Sequence, residues 1–457
     1  MACPLTALAN IISTQVDVVN KAYSEKGLDF PDLDDPSQPP PPPGAPDPSL
    51  AESKALLVAA ADQILATVRP PVQTFTELSF GVYGMATLAF VIDTNIPDIL
   101  KEAGATGLHV KDIAAKNNVD AGYIARVLRF LATRHIFKEI SPDVFVNNHL
   151  SSLLIKTKSL EEIKADPIAR FDEAPFAAFI SRTGDEALQS SVFLSSFLQN
   201  PGQHAAPFNL GFKTEAKLWD WYEEPENNWR ARRFRTVMKD TAGHLFVKAD
   251  LIDCISAASL NKDDLIVDVG GSLGKVTHAL YQEMPQYRYA VQDLETLIEG
   301  GKQFWNQVAP DALASGRVQL NVHNFFKPQP IKGAALYFLR FIIHDWPDKD
   351  VKVILKHLRD AADSSSKLII CDSLAVHACE SSSVTTATGN EVPYPLLPCL
   401  GVAGAGLVSR LDIQMLNLYN GQERTESDFK NVGEASGWKL ESVIKNTRWP
   451  CFLYSPV

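Results

Sequence analysis

The chain reads as an α/β protein in which a mainly helical N-terminal part leads into a mostly parallel sheet covered on both faces. Three observations predict this. From Leu265 onward, apolar strand segments alternate with helical ones, the pattern of parallel strands joined by crossovers. Upstream, between about Glu52 and Leu100, apolar residues recur at three- and four-residue spacing, which predicts helices. The first strand segment runs directly into a glycine-rich turn and a helix start, as in sheets that bind ligands at their strand ends.

The 457 residues imply two or three domains at about 150 residues each. The expected division is an N-terminal helix and proline-rich linker over 1–53, a winged-helix-like domain over 54–200 and the sheet domain over 201–457. Apolar residues make up 46% and the formal net charge is −11. A normal core is therefore available, and nucleic acid or an anionic membrane is disfavoured as the main partner. No continuous run of about 20 apolar residues stands out, so no membrane partner is expected. The start lacks the basic and apolar regions of a signal peptide. Cys3, Cys254, Cys371, Cys379, Cys399 and Cys451 contain no C-x-x-C pair, which predicts reduced thiols in a cytoplasmic protein.

Residues 1–30 carry one helix. The stretch from Asp32 to Ser49 contains five consecutive prolines, Pro39 to Pro43, and reads as a linker or surface strap. After Leu100 come a short helix, an Asn-Asn-Val-Asp turn and a longer helix, Ala121 to Thr133. A strand pair follows through Ile136–Glu139 and Val144–Asn147. That order is a helix-turn-helix with a wing. A DNA-reading helix needs polar side chains on its exposed face. Here Arg126 and Arg129 stand among Ile124, Val127, Leu128, Phe130 and Leu131, so a structural or dimerising role is favoured over DNA reading.

In the sheet domain, Leu265-Ile-Val-Asp268-Val-Gly270-Gly271-Ser-Leu-Gly274 is strand, turn and helix start. Glycine allows close backbone approach, and a helix N-terminus offers free N–H groups. The spacing matches neither G-x-G-x-x-G nor the P-loop. The second strand ends at Asp293, where an acid can accept both ribose hydroxyls of an adenosyl ligand. Asp268 is expected near the ligand's amino-acid end, Asn324 near an adenine amino group, and Phe325 on the ring. After the fourth strand comes Arg340-Phe341-Ile-Ile-His344-Asp345-Trp346-Pro347. Asp372 ends the fifth strand, and Glu423 lies in a turn before a helix that starts Thr425-x-x-Asp428, a capping box. Acids flanking a histidine can fix its tautomer and orientation.

These segments resemble the S-adenosylmethionine-dependent O-methyltransferases of the caffeic acid and flavonoid type, in their fungal secondary-metabolite branch. VDVGGSLGKVTHAL, YAVQDLETLI, FLRFIIHDWPD and NLYNGQERTESDF carry the resemblance, which covers about 55–457. It implies a Rossmann-like class I methyltransferase domain with a mostly parallel seven-stranded sheet, preceded by a mainly α-helical winged-helix domain. It further implies S-adenosyl-L-methionine as methyl donor without a metal, a small aromatic acceptor and a homodimer through the N-terminal domain. His344 then stands as proton acceptor, bracketed by Asp372 and Glu423. Asp268, Gly270, Gly271, Asp293, Asn324, Phe325 and Arg340 fall at the cofactor. Arg340 stands where plant relatives usually have lysine, and Asn324 replaces their usual aspartate. Phe234, Met238, Phe341 and Met415 fall on acceptor-pocket positions, with the stretch 376–409 expected to cover that pocket.

The chemistry suits those residues. With a pKa of about 10, roughly one phenol in a thousand is ionised at pH 7, a deficit of about 4 kcal/mol. A positioned base supplies about 10²–10⁴-fold. Three rivals stay open: methylation of nitrogen or carboxylate on the same fold, a winged-helix DNA-binding regulator with an inert second domain, and a nicotinamide oxidoreductase, which the glycine spacing disfavours.

Overall fold

The structure is a computed structural model and describes residues 3–36, 47–244, 248–379, 391–445 and 449–457. The run Pro39–Pro43 and the middle of the 376–409 stretch lie outside the described residues. The chain forms two compact units, 1–244 with 378–404 and 245–377 with 405–457. Residues 201–244, expected with the sheet domain, cluster with the helical unit.

In the helical unit, α1 (Pro4–Ser24) and α2 (Pro48–Val68) pack through Leu8, Leu56, Ala59 and Ala60, with Leu396 from the 378–404 excursion. The amide of Gln63 grips that excursion, donating to the Pro395 carbonyl and accepting from the Leu397 N–H. Next come α3 (Pro71–Ser79), α4 (Gly81–Asp93) and α5 (Ile96–Ala103). The helical stretch ending near Leu100 is thus several helices. Pro70 and Pro71 end α2 and start α3, and Asn95 turns left-handed between α4 and α5. The winged element follows as β1 (Leu108–His109), α6 (Val110–Asn117), α7 (Ala121–Ala132), β2 (Lys138–Ser141) and β3 (Val144–Val146), in sheet order β1-β3-β2. Asp120 caps α7 by accepting from the Gly122 and Tyr123 N–H groups. The apolar face of α7, with Ile124, Leu128 and Leu131, is buried in the unit's core with Ile96, Ile99 and Phe145.

Two expectations are corrected here. The wing strand starts at Lys138 rather than Ile136, because His135 and Phe137 take positive φ of 61° and 67°, turning Phe137 into the core. Among the described residues one stretch, Pro71–Asp93, is long and apolar enough to cross a membrane by length and composition. Gln73, Glu77, Gly81 and Gly84 interrupt it, so no continuous run betrays it. It is two helices meeting at Phe80, and it exposes Val72, Phe75, Leu78, Val82 and Tyr83.

The second unit is a seven-stranded sheet in the order β6-β5-β4-β7-β8-β10-β9. Its strands are β4 (Leu265–Val269), β5 (Arg288–Asp293), β6 (Val318–Val322), β7 (Leu336–Arg340), β8 (Lys367–Cys371), β9 (Trp438–Ile444) and β10 (Cys451–Pro456). β4 to β8 pair in parallel, while β10 runs antiparallel to β8 and β9. The central strands β4, β5, β7 and β8 are buried almost throughout, as strands covered on both faces must be. Parallel pairing puts their carboxyl ends on one edge. That edge presents Gly270, Asp293, Arg340 and Asp372 together.

The cysteines also need correction. Cys254, on the helix Lys248–Ala257, and Cys451, at the start of β10, form a disulfide across 197 residues of sequence. Local spacing carries no signal for a pairing of that range. Cys3, Cys371, Cys379 and Cys399 are free thiols.

Candidate active site

At the first end of the strand edge, the backbone supplies the geometry. The N–H groups of Gly270 and Gly271 both donate to the Gln292 carbonyl, at 2.8 and 3.1 Å. A Cβ on Gly270, which has a φ of 76°, would collide with Ile342, and one on Gly271 would lie 2.5 Å from Asp268 Oδ2. Only glycine fits either place. Asp293 accepts from the Ser272 N–H at 2.7 Å and from the Leu294 N–H at 2.7 Å. Burial raises its pKa, and those two N–H groups oppose the rise. Asp268 is buried and accepts from Thr277 Oγ1 at 2.5 Å. Burial pushes its pKa up to about 6, against the pull of Thr277 and Arg340. Gln292 and Gln329, both buried, exchange two amide hydrogen bonds of 2.8 Å. That pair fixes the strand end from which the glycine turn hangs.

Asn324 lies just past β6, exposed, and its Oδ1 accepts from the Phe326 N–H at 2.9 Å. Phe325 packs edge-on against Phe326 and Trp346 and would lie 3.7 Å from a Cβ at Gly270. Arg340 sits 4.5 Å over the Phe341 ring. Burial lowers its pKa, while Cys371, Asp268 and Asp372 hold it up. It thus links the acid at the glycine turn with the acid at the histidine.

At the other end, the short turn Ile343–Asp345 after β7 carries His344. Its Nδ1 lies 3.0 Å from Glu423 Oε1 and 3.6 Å from Asp372 Oδ1. Its Nε2 lies 3.6 Å from Asp345 Oδ1, and its backbone N–H donates to Asp372 Oδ2 at 3.3 Å. The structure therefore brings His344, Asp372 and Glu423 together as the sequence predicts. Burial alone would lower the imidazole pKa, but Asp372, Asp345 and Glu423 together raise it to about 10. Burial raises Asp372 to about 7, with Glu423 and Asp345 adding to the rise and His344 and Arg424 opposing it. One ligand atom from each of His344, Asp372 and Glu423 lies within 4.8 Å of the others. A small cation would fit that spacing, but it would compete with the His344–Glu423 bond for the same atoms.

Of the four acceptor positions, Phe341 packs between His344, at 5.6 Å, and Trp449, at 5.1 Å. Its φ of 53° is left-handed, a strain of about 1–3 kcal/mol of the kind that collects at functional sites. Met415 is buried on the helix Gly406–Tyr419 of the same unit. Phe234 and Met238 stand on the helix Asn228–His244 of the helical unit. There Phe234 stacks on Tyr222 at 5.5 Å and lies under Arg182, and Met238 is exposed.

Two site residues went unassigned from sequence. Asp345 was visible only as the neighbour of His344, and its approach to Nε2 depends on the tight turn. Arg424, beside Glu423, is 1% exposed and donates to the carbonyls of Ile343 and Trp346. An arginine in an otherwise polar turn gives no sign of such burial.

Known proteins share both parts. The O-methyltransferase domain family matches residues 216–439, and the O-methyltransferase dimerisation domain family matches residues 76–157. An O-methyltransferase of Armillaria gallica is 35% identical over 457 residues, covering 97% of this chain and 96% of that one. The 4-O-methyltransferase 1 of Phanerochaete chrysosporium is 33% identical, covering 97% and 96%. Among solved structures, the mitomycin 7-O-methyltransferase MmcR aligns with a TM-score of 0.61 at 20% identity, covering 87% of this chain and 99% of that one. LepI in complex with SAM aligns at 0.67 and 17% identity, covering 98% and 100%. Those structures share the fold, and the end-to-end relatives settle the lineage: the chain belongs to the O-methyltransferase family.

Proposed function

We propose that this enzyme transfers the methyl group of S-adenosylmethionine to a phenolic hydroxyl of a small aromatic, polyketide-like acceptor, with His344 as proton acceptor. The observation that carries the reading is the imidazole held at 3.0 Å by Glu423, on the strand edge shared with the glycine turn. The cofactor fits the residues present. The glycine cradle would be filled by any Cβ, and the Asp293 carboxylate suits ribose hydroxyls. Gly270 and Gly271 would take the methionine part, with Asp268 toward its ammonium and Phe325 and Asn324 toward the adenine. When bound, S-adenosylmethionine supplies an electrophilic methyl on a sulfonium centre.

The remaining work falls to the histidine. An acceptor phenol has a pKa of about 10, and the acids around His344 raise the imidazole to about 10. Matched values let the proton sit on either partner at little cost. With a pKa of about 10 the imidazole is mostly protonated at pH 7. To accept the phenol's proton it first gives its own to solvent, so forming the imidazolium–phenolate pair releases one proton. Asp372 and Glu423 stabilise the imidazolium, and Glu423 at Nδ1 leaves Nε2 to face the acceptor. A cationic resting imidazole also suits a carboxylate acceptor, which is the second reading. This scheme uses no metal, so a chelator should leave turnover unchanged, and activity lost to a chelator and restored by a divalent cation would overturn that part. The relatives named as 4-O- and 3-O-methyltransferases support oxygen over nitrogen.

We further propose that the enzyme works as a homodimer through its helical unit. Exposed Leu78, Phe80, Val82 and Tyr83 lie inside the matched dimerisation segment, and a second copy would cover them. Light scattering at micromolar concentration checks this, and a monomer overturns it. The acceptor is tested by screening phenols and aromatic acids with isotope-labelled cofactor and locating the new methyl by NMR. Methyl groups only on carboxylates would replace the phenol reading, and no transfer to either class would end both.

A further inference from the structure

The turn that carries His344 has almost no internal support, being a three-residue 3-10 turn. A distant segment, Asn420 to Arg424, grips it. The Gln422 N–H donates to the His344 carbonyl at 2.9 Å. Arg424 Nη1 donates to the Ile343 carbonyl at 2.7 Å, and Nη2 to the Trp346 carbonyl at 2.9 Å. Carbonyls before, at and after the histidine are thus all taken by one stretch of chain. Gly421 passes so close to the His344 carbonyl and the Asp345 backbone that a Cβ there would collide with both. The far side of the guanidinium is anchored by Asp348 Oδ1, at 3.1 and 2.7 Å. The Arg424 carbonyl accepts from the Ala375 N–H at 2.9 Å, just beyond Asp372. The next residue back along the chain is Glu423, the partner of Nδ1.

We infer that Arg424 is a positioning residue for methyl transfer: a buried latch that fixes the His344 turn, the Glu423 carboxylate and the chain after Asp372 in one register. It touches none of the reacting atoms. The planar guanidinium does this because it spreads several N–H donors in one plane, here over two carbonyls of the turn and one carboxylate. A lysine offers charge without that fan. Gly421 completes the latch by letting the two backbones meet.

The inference rests on His344 being the proton acceptor, so the variants are read against His344→Ala. Arg424→Lys keeps the charge and breaks the fan. Gly421→Ala wedges the two backbones apart. Asp348→Ala removes only the outer anchor, whose side chain is 51% exposed, and serves if the buried variants do not fold. A misplacement of about 1 Å costs about 10²-fold in rate. Arg424→Lys and Gly421→Ala should therefore lower kcat roughly 10- to 100-fold, and Asp348→Ala roughly 3- to 10-fold. S-adenosylmethionine Kd by calorimetry should stay within about threefold, because neither the glycine turn nor Asp293 is touched. Added guanidinium should restore part of the turnover of Arg424→Ala. If His344→Ala is impaired while folded Arg424→Lys and Asp348→Ala keep kcat within about twofold, the latch is wrong. Cofactor binding lost in step with kcat would make Arg424 merely structural and overturn it equally. If His344→Ala itself turns over normally, the fault lies in the proton-acceptor reading.

Discussion

The two ends of the strand edge are built by opposite means. At the glycine turn the main chain does the holding. Asp293 is gripped by two N–H groups, and both glycines hang from one carbonyl. The groups that hold the turn lie between Asp268 and Leu294, with Gln329 as a distant support of the strand end. At the histidine, side chains do the holding, and the partners come from Asp345, Asp372 and Glu423, the last 79 residues away. The first end is local and carries modest charge strain. The second is assembled over long range and crowds three carboxylates around one imidazole. Damage at the first should therefore appear as lost binding, and damage at the second as lost turnover and altered proton accounting.

The largest expected effect lies at the second end. His344→Ala should lower turnover by about 10²-fold or more while calorimetry shows S-adenosylmethionine binding nearly intact. An equal loss of both would erase the contrast. Next is Asp293→Ala. Losing even one hydrogen bond to a charged group costs about 1.5–3 kcal/mol, so cofactor Kd should rise at least about 10- to 100-fold, with kcat at saturating cofactor changed far less. Unaltered affinity would remove Asp293 from the cofactor end.

Protons sharpen the comparison further. The folded imidazole is raised from 6.5 to about 10, so between those values the folded protein holds a proton that the unfolded chain has lost. Its stabilising contribution is full below pH 6.5 and fades as pH climbs through about 10. Because acceptor binding releases a proton, acceptor KM should fall between pH 7 and pH 9, and calorimetry in buffers of different ionisation enthalpy should count one proton. Glu423→Gln removes one anion and should move the imidazole pKa down by about 1 pH unit, as read by NMR. A change upward would mean that the acids do not set it. The smallest effect on rate is expected from reduction of Cys254–Cys451. Dithiothreitol should lower the melting temperature, in line with the about 2–5 kcal/mol typical of a native disulfide, with turnover at 25 °C preserved. An unchanged melting curve would show that the bond contributes nothing.

The contrast also explains what could be read from residues alone. The central strands were legible because burial on both faces demands nearly continuous apolar runs, as in LIVDV and LYFLR, broken only by the site residues Asp268 and Arg340. The glycine turn was legible because the strand, the glycines and the acid that closes the next strand lie in one short stretch, Leu265 to Asp293. His344, Asp372 and Glu423 were each placed at a strand or turn end, but their convergence came from the family resemblance. Arg424 was missed because its partners are about 80 positions away, and the disulfide because its partners are 197 apart. β1, at two residues, is too short to show periodicity. The break at Asn95 depends on a single left-handed residue inside an apolar stretch.

Between Asp372 and Glu423 the chain departs, and residues 378–404 cluster with the helical unit. The departure is pinched shut at its base, where Leu374 bridges Arg424 and the Ala375 N–H meets the Arg424 carbonyl. The two acids are therefore tied at this neck, and Asp412 on the returning helix also holds Glu423 by accepting from its N–H at 2.8 Å. A change in residues 378–404 therefore reaches the proton-handling trio through this closed neck and through the helix that carries Asp412.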